Sequence, residues 1–376
     1  ADYYAAQEKA GWSDDACREA SDRFRAVARE HTDLIEASYM VGRSLQNCKF
    51  DKDAEAAYQA AIKANPKHAQ SISNLGDIYF RNGKVEGAKS YWETAIKANG
   101  KLTGARNNLA YLLLEELRKA TRDSAGWSTI EKQARDQLSQ VLAVDQDNVR
   151  AYVLFGLVYM EGYEKNRSRL DLAKLLLDEG KKRKADFAPL HNAYGLLHLL
   201  RNNVGEALTS FQQAVTLDPG FVEARMNVGS ITLGFRKYDT AAEQFETVLQ
   251  AEPKNYDAVL GLGIAQRGLA KLDDAEASYN KARELDGKRA AAYFNLGVLY
   301  QDFRANNQAD MKGTKKAYEK ARDYFQDAVS RSGLTPEQIE DAKENIATLN
   351  KNVKQLEDSI KEAATMAAPP AGGGAP

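Results

Sequence analysis

Residues 188–289 fall into three lines of 34: APLHNAYGLLHLLRNNVGEALTSFQQAVTLDPGF (188–221), VEARMNVGSITLGFRKYDTAAEQFETVLQAEPKN (222–255) and YDAVLGLGIAQRGLAKLDDAEASYNKARELDGKR (256–289). Stacked, they hold five features in register. Gly195, Gly229 and Gly263 come first, and twelve residues later stand Ala207, Ala241 and Ala275. Sixteen residues after each glycine is a large ring, Phe211, Phe245 and Tyr279; nineteen after it is a slim residue, Ala214, Val248 and Ala282. Twenty-four after it is a helix stopper, Pro219, Pro253 and Gly287. Five features at one period mark a repeat array, in which each unit buries its apolar face only against its neighbours.

The template extends in both directions. Upstream it takes in Gly42, Ala54, Tyr58, Ala61 and Pro66, then Gly76, Ala88, Trp92, Ala95 and Gly100; downstream it takes in Gly297, Ala321, Phe325, Ala328 and Gly333. Looser copies fill the middle with Ala110, Ala134, Leu138 and Val141, then Gly156, Ala173, Leu177 and Gly180. Eight units result, at 35–68, 69–102, 103–148, 149–187, 188–221, 222–255, 256–289 and 290–335. Each reads as two helices, with apolar residues at helical spacing on either side of turns such as Arg81-Asn82-Gly83. Glycine on the first helix and alanine on the second let the backbones approach, the ring fills the remaining space, and Pro or Gly ends the second helix.

These residues resemble the tetratricopeptide repeat family, a 34-residue helix–turn–helix unit. The resemblance implies an all-α, right-handed superhelical solenoid of about nine units, counting a degenerate one at 1–34 in which Ala20, Phe24 and Val27 keep phase. Departures concentrate in the third and fourth units: Ala110 for glycine, Leu138 and Leu177 for the ring, Gly180 for alanine. Residues 336–363 read as a capping helix with an apolar stripe through Ile339, Ile346, Leu349, Val353, Leu356 and Ile360. The Pro/Gly/Ala tail at 364–376 reads as disordered.

Composition excludes several classes. Lys plus Arg number 52 against 53 Asp plus Glu, so nothing drives general binding to nucleic acid or a membrane surface. No stretch approaches the ~20 apolar residues that cross a bilayer. The sequence holds no phosphate-cradling Gly-rich loop, HExxH, paired-Cys metal site or nucleophile elbow. No enzyme, cofactor or metal site is expected. His191 and His198 lie seven apart and read as packing residues; Lys181-Lys182-Arg183-Lys184 reads as favourable charge at a helix C-terminus.

Three units carry insertions between their two helices. The spacing of the small pair is 24 in unit three (Ala110, Ala134), 17 in unit four (Gly156, Ala173) and 24 in unit eight (Gly297, Ala321). Equivalent loops of a solenoid emerge on one edge, so segments with Trp127, Tyr163, Phe303 and Met311 either build a partner-binding rim or are tolerated insertions with longer helices. By phase, Cys17 opens one helix and Cys48 closes the next, which runs antiparallel to it; these are the only cysteines, and the pair reads either as a disulfide or as two unrelated buried thiols. A disulfide implies an oxidising compartment.

In the family the first helices line a concave surface. Carried over by position, the lining is Tyr39, Arg43, Asp77 and Tyr111, then a more apolar run of Leu157, Met160, Leu196, Leu199, Met226, Leu233, Leu260, Ile264, Phe294 and Val298. Such a groove suits an amphipathic or extended hydrophobic partner segment, unless the superhelix closes on itself or these residues are core. The paired Lys and Asn that bind chaperone C-termini in some members are absent. The expectation is a non-enzymatic adaptor whose partners are other proteins and not nucleic acid. The YYAAQEKAGW start without Met, the long array and the Ala-Pro-Pro-Ala-Gly-Gly-Gly tail resemble envelope lipoproteins of the myxobacterial adventurous gliding-motility machinery. That resemblance implies a periplasmic or outer-membrane-associated scaffold, with any lipid anchor outside this chain. The alternative is a co-chaperone or secretion factor binding exposed hydrophobic segments.

Overall fold

The computed structural model describes residues 11–122, 124–164 and 166–367, and these residues form helices and no strand. The first described helix is α1 (Asp14–Glu30), capped by Ser13, whose Oγ accepts from the Ala16 amide at 3.2 Å. Paired helices follow: α2 (Ile35–Asn47) with α3 (Asp51–Ala64), α4 (Ala69–Arg81) with α5 (Val85–Ala98), α6 (Thr103–Lys119) with α7 (Ala125–Val144), and α8 (Val149–Met160) with α9 (Arg169–Arg183). Then come α10 (Ala188–Leu200), α11 (Val204–Leu217), α12 (Val222–Gly234) with α13 (Tyr238–Ala251), α14 (Tyr256–Gly268) with α15 (Leu272–Leu285), and α16 (Ala291–Val298) with α17 (Met311–Val329). The last is α18 (Pro336–Ala367). The chain divides into an N-terminal body, Ala1–Arg201, and a C-terminal body, Asn202–Pro376.

The template glycines have a specific neighbour. A Cβ on Gly76 would lie 2.6 Å from the Trp92 ring, closer than real Cβ atoms approach anything. In the C-terminal body, Phe245 is clasped between Gly229 and Gly261, whose added Cβ atoms would meet the ring at 2.8 and 2.6 Å. The glycine therefore makes room for the ring of its own unit rather than for a bare backbone. The period repeats this contact at Gly42, Gly263 and Gly297, and Tyr58, Trp92, Phe245, Tyr279 and Phe325 are fully buried.

Turns repeat as strictly as the core. Lys49, Gly83, Asn202, Arg236 and Ala270 all take positive φ, between 56° and 73°, in the turn joining the two helices of a unit. Only Gly83 does so without the cost a Cβ brings. Between units, the stop contains an Asx turn, beside Pro or Gly everywhere but at Asp145. Asn65, Asn99, Asp145, Asp218 and Asp286 each accept, at 3.0–3.1 Å, from the amide two residues on.

The insertions are absorbed mainly as helix. In unit three, α6 and α7 run 17 and 20 residues. In unit eight the chain passes from α16 through a π-helical turn, Leu299–Arg304, and a 3-10 turn, Ala305–Asn307, before the 19 residues of α17. The C-terminal helix also exceeds the expected Ala363 and reaches Ala367, because Glu362-Ala363-Ala364-Thr365-Met366-Ala367 contains no strong breaker. The expected tail beyond it, from residue 368, lies outside the described residues, as do residues 1–10 of the degenerate N-terminal unit.

Candidate functional site

The residues that converge lie in the N-terminal body, on three of its first helices and on α5. Asp77 sits one residue past the template glycine of α4, so the helix that admits the Trp92 ring also aims the carboxylate at the indole. Asp77 Oδ1 accepts from Trp92 Nε1 at 2.8 Å and from Asn108 Nδ2 of α6 at 2.6 Å. Phe80, one turn on, sets its ring at a tilt 5.6 Å from Trp92 and lies edge-to-face with Tyr111 at 6.0 Å. Arg150 in the first turn of α8 completes the wall. Together Asp77, Phe80, Trp92, Asn108, Tyr111 and Arg150 bound a concavity of about 430 Å³.

Burial pushes the Asp77 carboxyl above its ordinary value; the hydrogen bonds from Trp92 and Asn108 and the charges of Arg150 and Arg81 pull it back. Arg150 is exposed as a residue, yet the walls desolvate its guanidinium enough to lower its pKa, against the charge of Asp77. Among the described residues, Asp77 Oδ2 has no hydrogen-bond partner and Arg150 makes neither a hydrogen bond nor an ion pair. An acceptor and a donor thus face one concavity without neutralising each other. The arrangement can grip a group that donates on one side and accepts on the other, as a peptide unit does.

Other expected groove residues do not join this cluster. Tyr39 packs its ring 5.9 Å from Tyr58 and 5.4 Å from His68; Arg43 is exposed. Leu157 and Leu196 are half-buried against the core around Leu177 and Leu197, and Leu199 is half-buried on the same helix as Leu196. Met160 is a correction: at 4 % exposure it belongs to that core, because Leu170 and the insertion turn cover the end of α8. In the C-terminal body, Met226 and Leu233 pack around Phe245, Leu260 and Ile264 around Leu296 and Tyr279, and Phe294 and Val298 on the cluster of Phe325. All six are half-buried, so the sticky apolar lining expected there is largely used up within the body.

The rim residues divide similarly. Trp127 is 7 % exposed and sits in the core with Leu113, Leu117 and Ala134: a correction, since the insertion continues as α7 and turns the indole inward. Phe303 packs half-buried beside Leu299 and Tyr279, and Tyr163 packs on the core of its unit; Met311 alone is exposed, at 43 %. The insertions of units three and four do meet, through Arg118–Glu161 at 2.8 Å and an Arg122–Glu164 pair. His191 Nε2 lies 2.7 Å from the Ala185 carbonyl. In the basic run, Arg183 and Lys182 pair with Glu179, and Arg183 also reaches the Gln146 carbonyl. Cys17 and Cys48 are joined, with Cα atoms 6.2 Å apart.

Fold and site together define an all-α repeat protein with a polar concavity on its first helices. Family models of the tetratricopeptide repeat match residues 52–101 and 233–302. Among curated proteins it is similar to human tetratricopeptide repeat protein 5, 26 % identical over 186 residues that make up 47 % of this chain and 40 % of that protein. It is also similar to mouse tetratricopeptide repeat protein 21A, 24 % identical over 205 residues, 50 % of this chain and 15 % of that protein. The matched stretch spans well under half the length of these relatives. Among solved structures, a thermophilic TPR protein of Thermus thermophilus aligns at 22 % identity and TM-score 0.46, over 53 % of this chain and 99 % of that one. YrrB, described as a TPR protein with an unusual peptide-binding site, aligns at 18 % identity and TM-score 0.38, over 55 % and 97 %.

Proposed function

We propose that this protein is a non-enzymatic scaffold that holds an extended segment of a partner protein in the concavity of its N-terminal body. The observation that carries the reading is the unpaired Asp77 Oδ2 facing the unpaired Arg150 guanidinium across aromatic walls. A peptide group donating to Asp77 and accepting from Arg150 satisfies both, with Phe80 and Tyr111 against the neighbouring side chains. A photo-crosslinker placed at Tyr111 captures the partner. Arg150→Glu reduces capture about tenfold or more, the worth of one charged hydrogen bond. Unchanged capture by Arg150→Glu and Asp77→Asn would sink the site.

Asp77→Asn keeps an acceptor for Trp92 and Asn108 and removes the charge. Because burial raises the folded-state pKa of Asp77, its contribution to stability is full below the unfolded value of 3.8 and is lost as pH rises through the folded value. The variant escapes that loss. It therefore melts at or above the wild type at neutral pH, and the two curves converge below pH 3.8.

Our finer reading places the scaffold in the periplasm or bacterial envelope, assembling a complex of the gliding-motility kind, with any lipid anchor outside this chain. Its support is the joined Cys17 and Cys48, since disulfides persist in oxidising compartments. Two titratable thiols in protein isolated without reductant would favour the competing reading, a cytosolic co-chaperone.

A further inference from the structure

Helix α1 is held to its body in an uncommon way. Its buried residues are Ala16, Cys17, Ala20 and Ser21, none of which has a large aliphatic side chain. Only Phe24 reaches, half-buried, into the cluster of Val41, Leu45 and Tyr58. Arg18 adds a guanidinium 4.4 Å above the Phe50 ring. Among the described residues the buried Ser21 hydroxyl has no partner. Small side chains remove little apolar surface from water, and an unpaired buried hydroxyl opposes docking. What ties α1 down is the bond from Cys17, in its first turn, to Cys48, the C-cap of α2. The two sulfurs differ in access: Cys17 is fully buried and Cys48 is half-exposed.

We propose that the Cys17–Cys48 bond is a redox latch for α1. A dithiol reductant attacks through one thiolate at the half-exposed Cys48 sulfur, forming a mixed disulfide. Cys17 leaves as thiolate and takes a proton. The second thiol of the reductant then attacks the mixed disulfide, Cys48 leaves and is protonated, and the reductant ends as its own disulfide. Two electrons and two protons have passed to the protein. With the tie gone, the small-residue face does not keep α1 docked. Its departure uncovers Ala37 and Val41 of α2 and opens the concavity of about 300 Å³ that Arg25, Ala28 and Arg29 close against Val41 and Ala57. The latch is independent of the peptide reading of the Asp77 concavity.

Hydrogen exchange on the full chain tests this, with and without dithiothreitol, comparing peptides from 14–30 with peptides from 103–119. Loss of the loop constraint is expected to speed exchange in 14–30 on the order of 100-fold and to leave 103–119 unchanged. Cys17→Ser/Cys48→Ser reproduces fast exchange without reductant and gains nothing from it. Equal protection of 14–30 in both redox states overturns the latch, as does finding two free thiols before reduction. If the double variant fails to fold, the reduced wild type, with 103–119 as its internal control, decides. Partner capture at Tyr111 in the same samples separates failure of the latch from failure of the concavity.

Discussion

The first and last described helices face the same problem and meet it differently. Each stands at one end of the described helices and must cover a core face that a repeat array leaves there. Helix α18 covers its face with bulk: Ala342, Leu349 and Val353 are buried and Ile346 is half-buried on the cluster of Phe325, Ala321 and Tyr300. Polar ties reinforce it, Gln301 Nε2 to Asn345 Oδ1 at 3.0 Å and Lys315 to Glu357 at 2.9 Å. Helix α1 offers Ala16, Ala20 and Ser21 and a covalent bond. Each large aliphatic residue taken out of water contributes about 1.5–3 kcal/mol, so α18 is fastened by its own side chains and survives any redox change. The attachment of α1 is conditional on the state of two sulfurs. A cap can be a permanent part of a repeat array or a removable one, and the size of its buried residues decides which.

The largest test falls on α18. Leu349→Ala leaves a cavity under a fully buried site and should cost about 2–5 kcal/mol, read by denaturant unfolding. A cost below about 1 kcal/mol would mean that α18 is as lightly seated as α1, and the contrast would fail. Next comes Cys17→Ser/Cys48→Ser, with a cost of about 3 kcal/mol confined to α1. A fall in stability of the C-terminal body as well would show that α1 is no local latch. Arg18→Ala follows, removing the contact with Phe50 for about 0.5–1 kcal/mol, measured as exchange in 14–30 with the bond closed.

The repeat was legible because one steric demand recurs. Wherever a ring is buried under a helix, as Tyr58 is under Gly42, the position above it has no room for a Cβ, and the period prints that demand into the sequence. The inter-unit Asx turns are written in the sequence as Asn65, Asn99, Asp145, Asp218 and Asp286. The site was legible by halves. Asp77 and Tyr111, both read as groove residues, bound the concavity together with Asn108 and Arg150, and Arg150 occupies a lining position by the same phase. The apolar lining was over-read. Leu260, Ile264, Phe294 and Val298 do lie on first helices, but periodicity gives a direction and not the neighbour that covers it. Trp127 failed for a related reason: an insertion counted in residues does not announce that it continues as helix.

The smallest effect bears on why α1 needs a bond at all. Ser21 is fully buried and among the described residues its hydroxyl finds no acceptor, not even a backbone carbonyl one turn back, which serines and threonines elsewhere in the chain use. Ser21→Ala keeps the shape of the face and removes the desolvated oxygen. Alanine is also the better helix former, by up to about 0.5 kcal/mol. The variant should therefore hold α1 more firmly, by about 0.5–1 kcal/mol, visible as slower exchange in 14–30. Part of that gain should persist after reduction, where the helix has only its side chains to hold it. If Ser21→Ala instead loosens α1 in the reduced protein, the hydroxyl contributes to docking, and the small-residue face is a stronger seat than its sizes suggest. The distinction between a covalent cap and an aliphatic one would then have to be redrawn around that single oxygen.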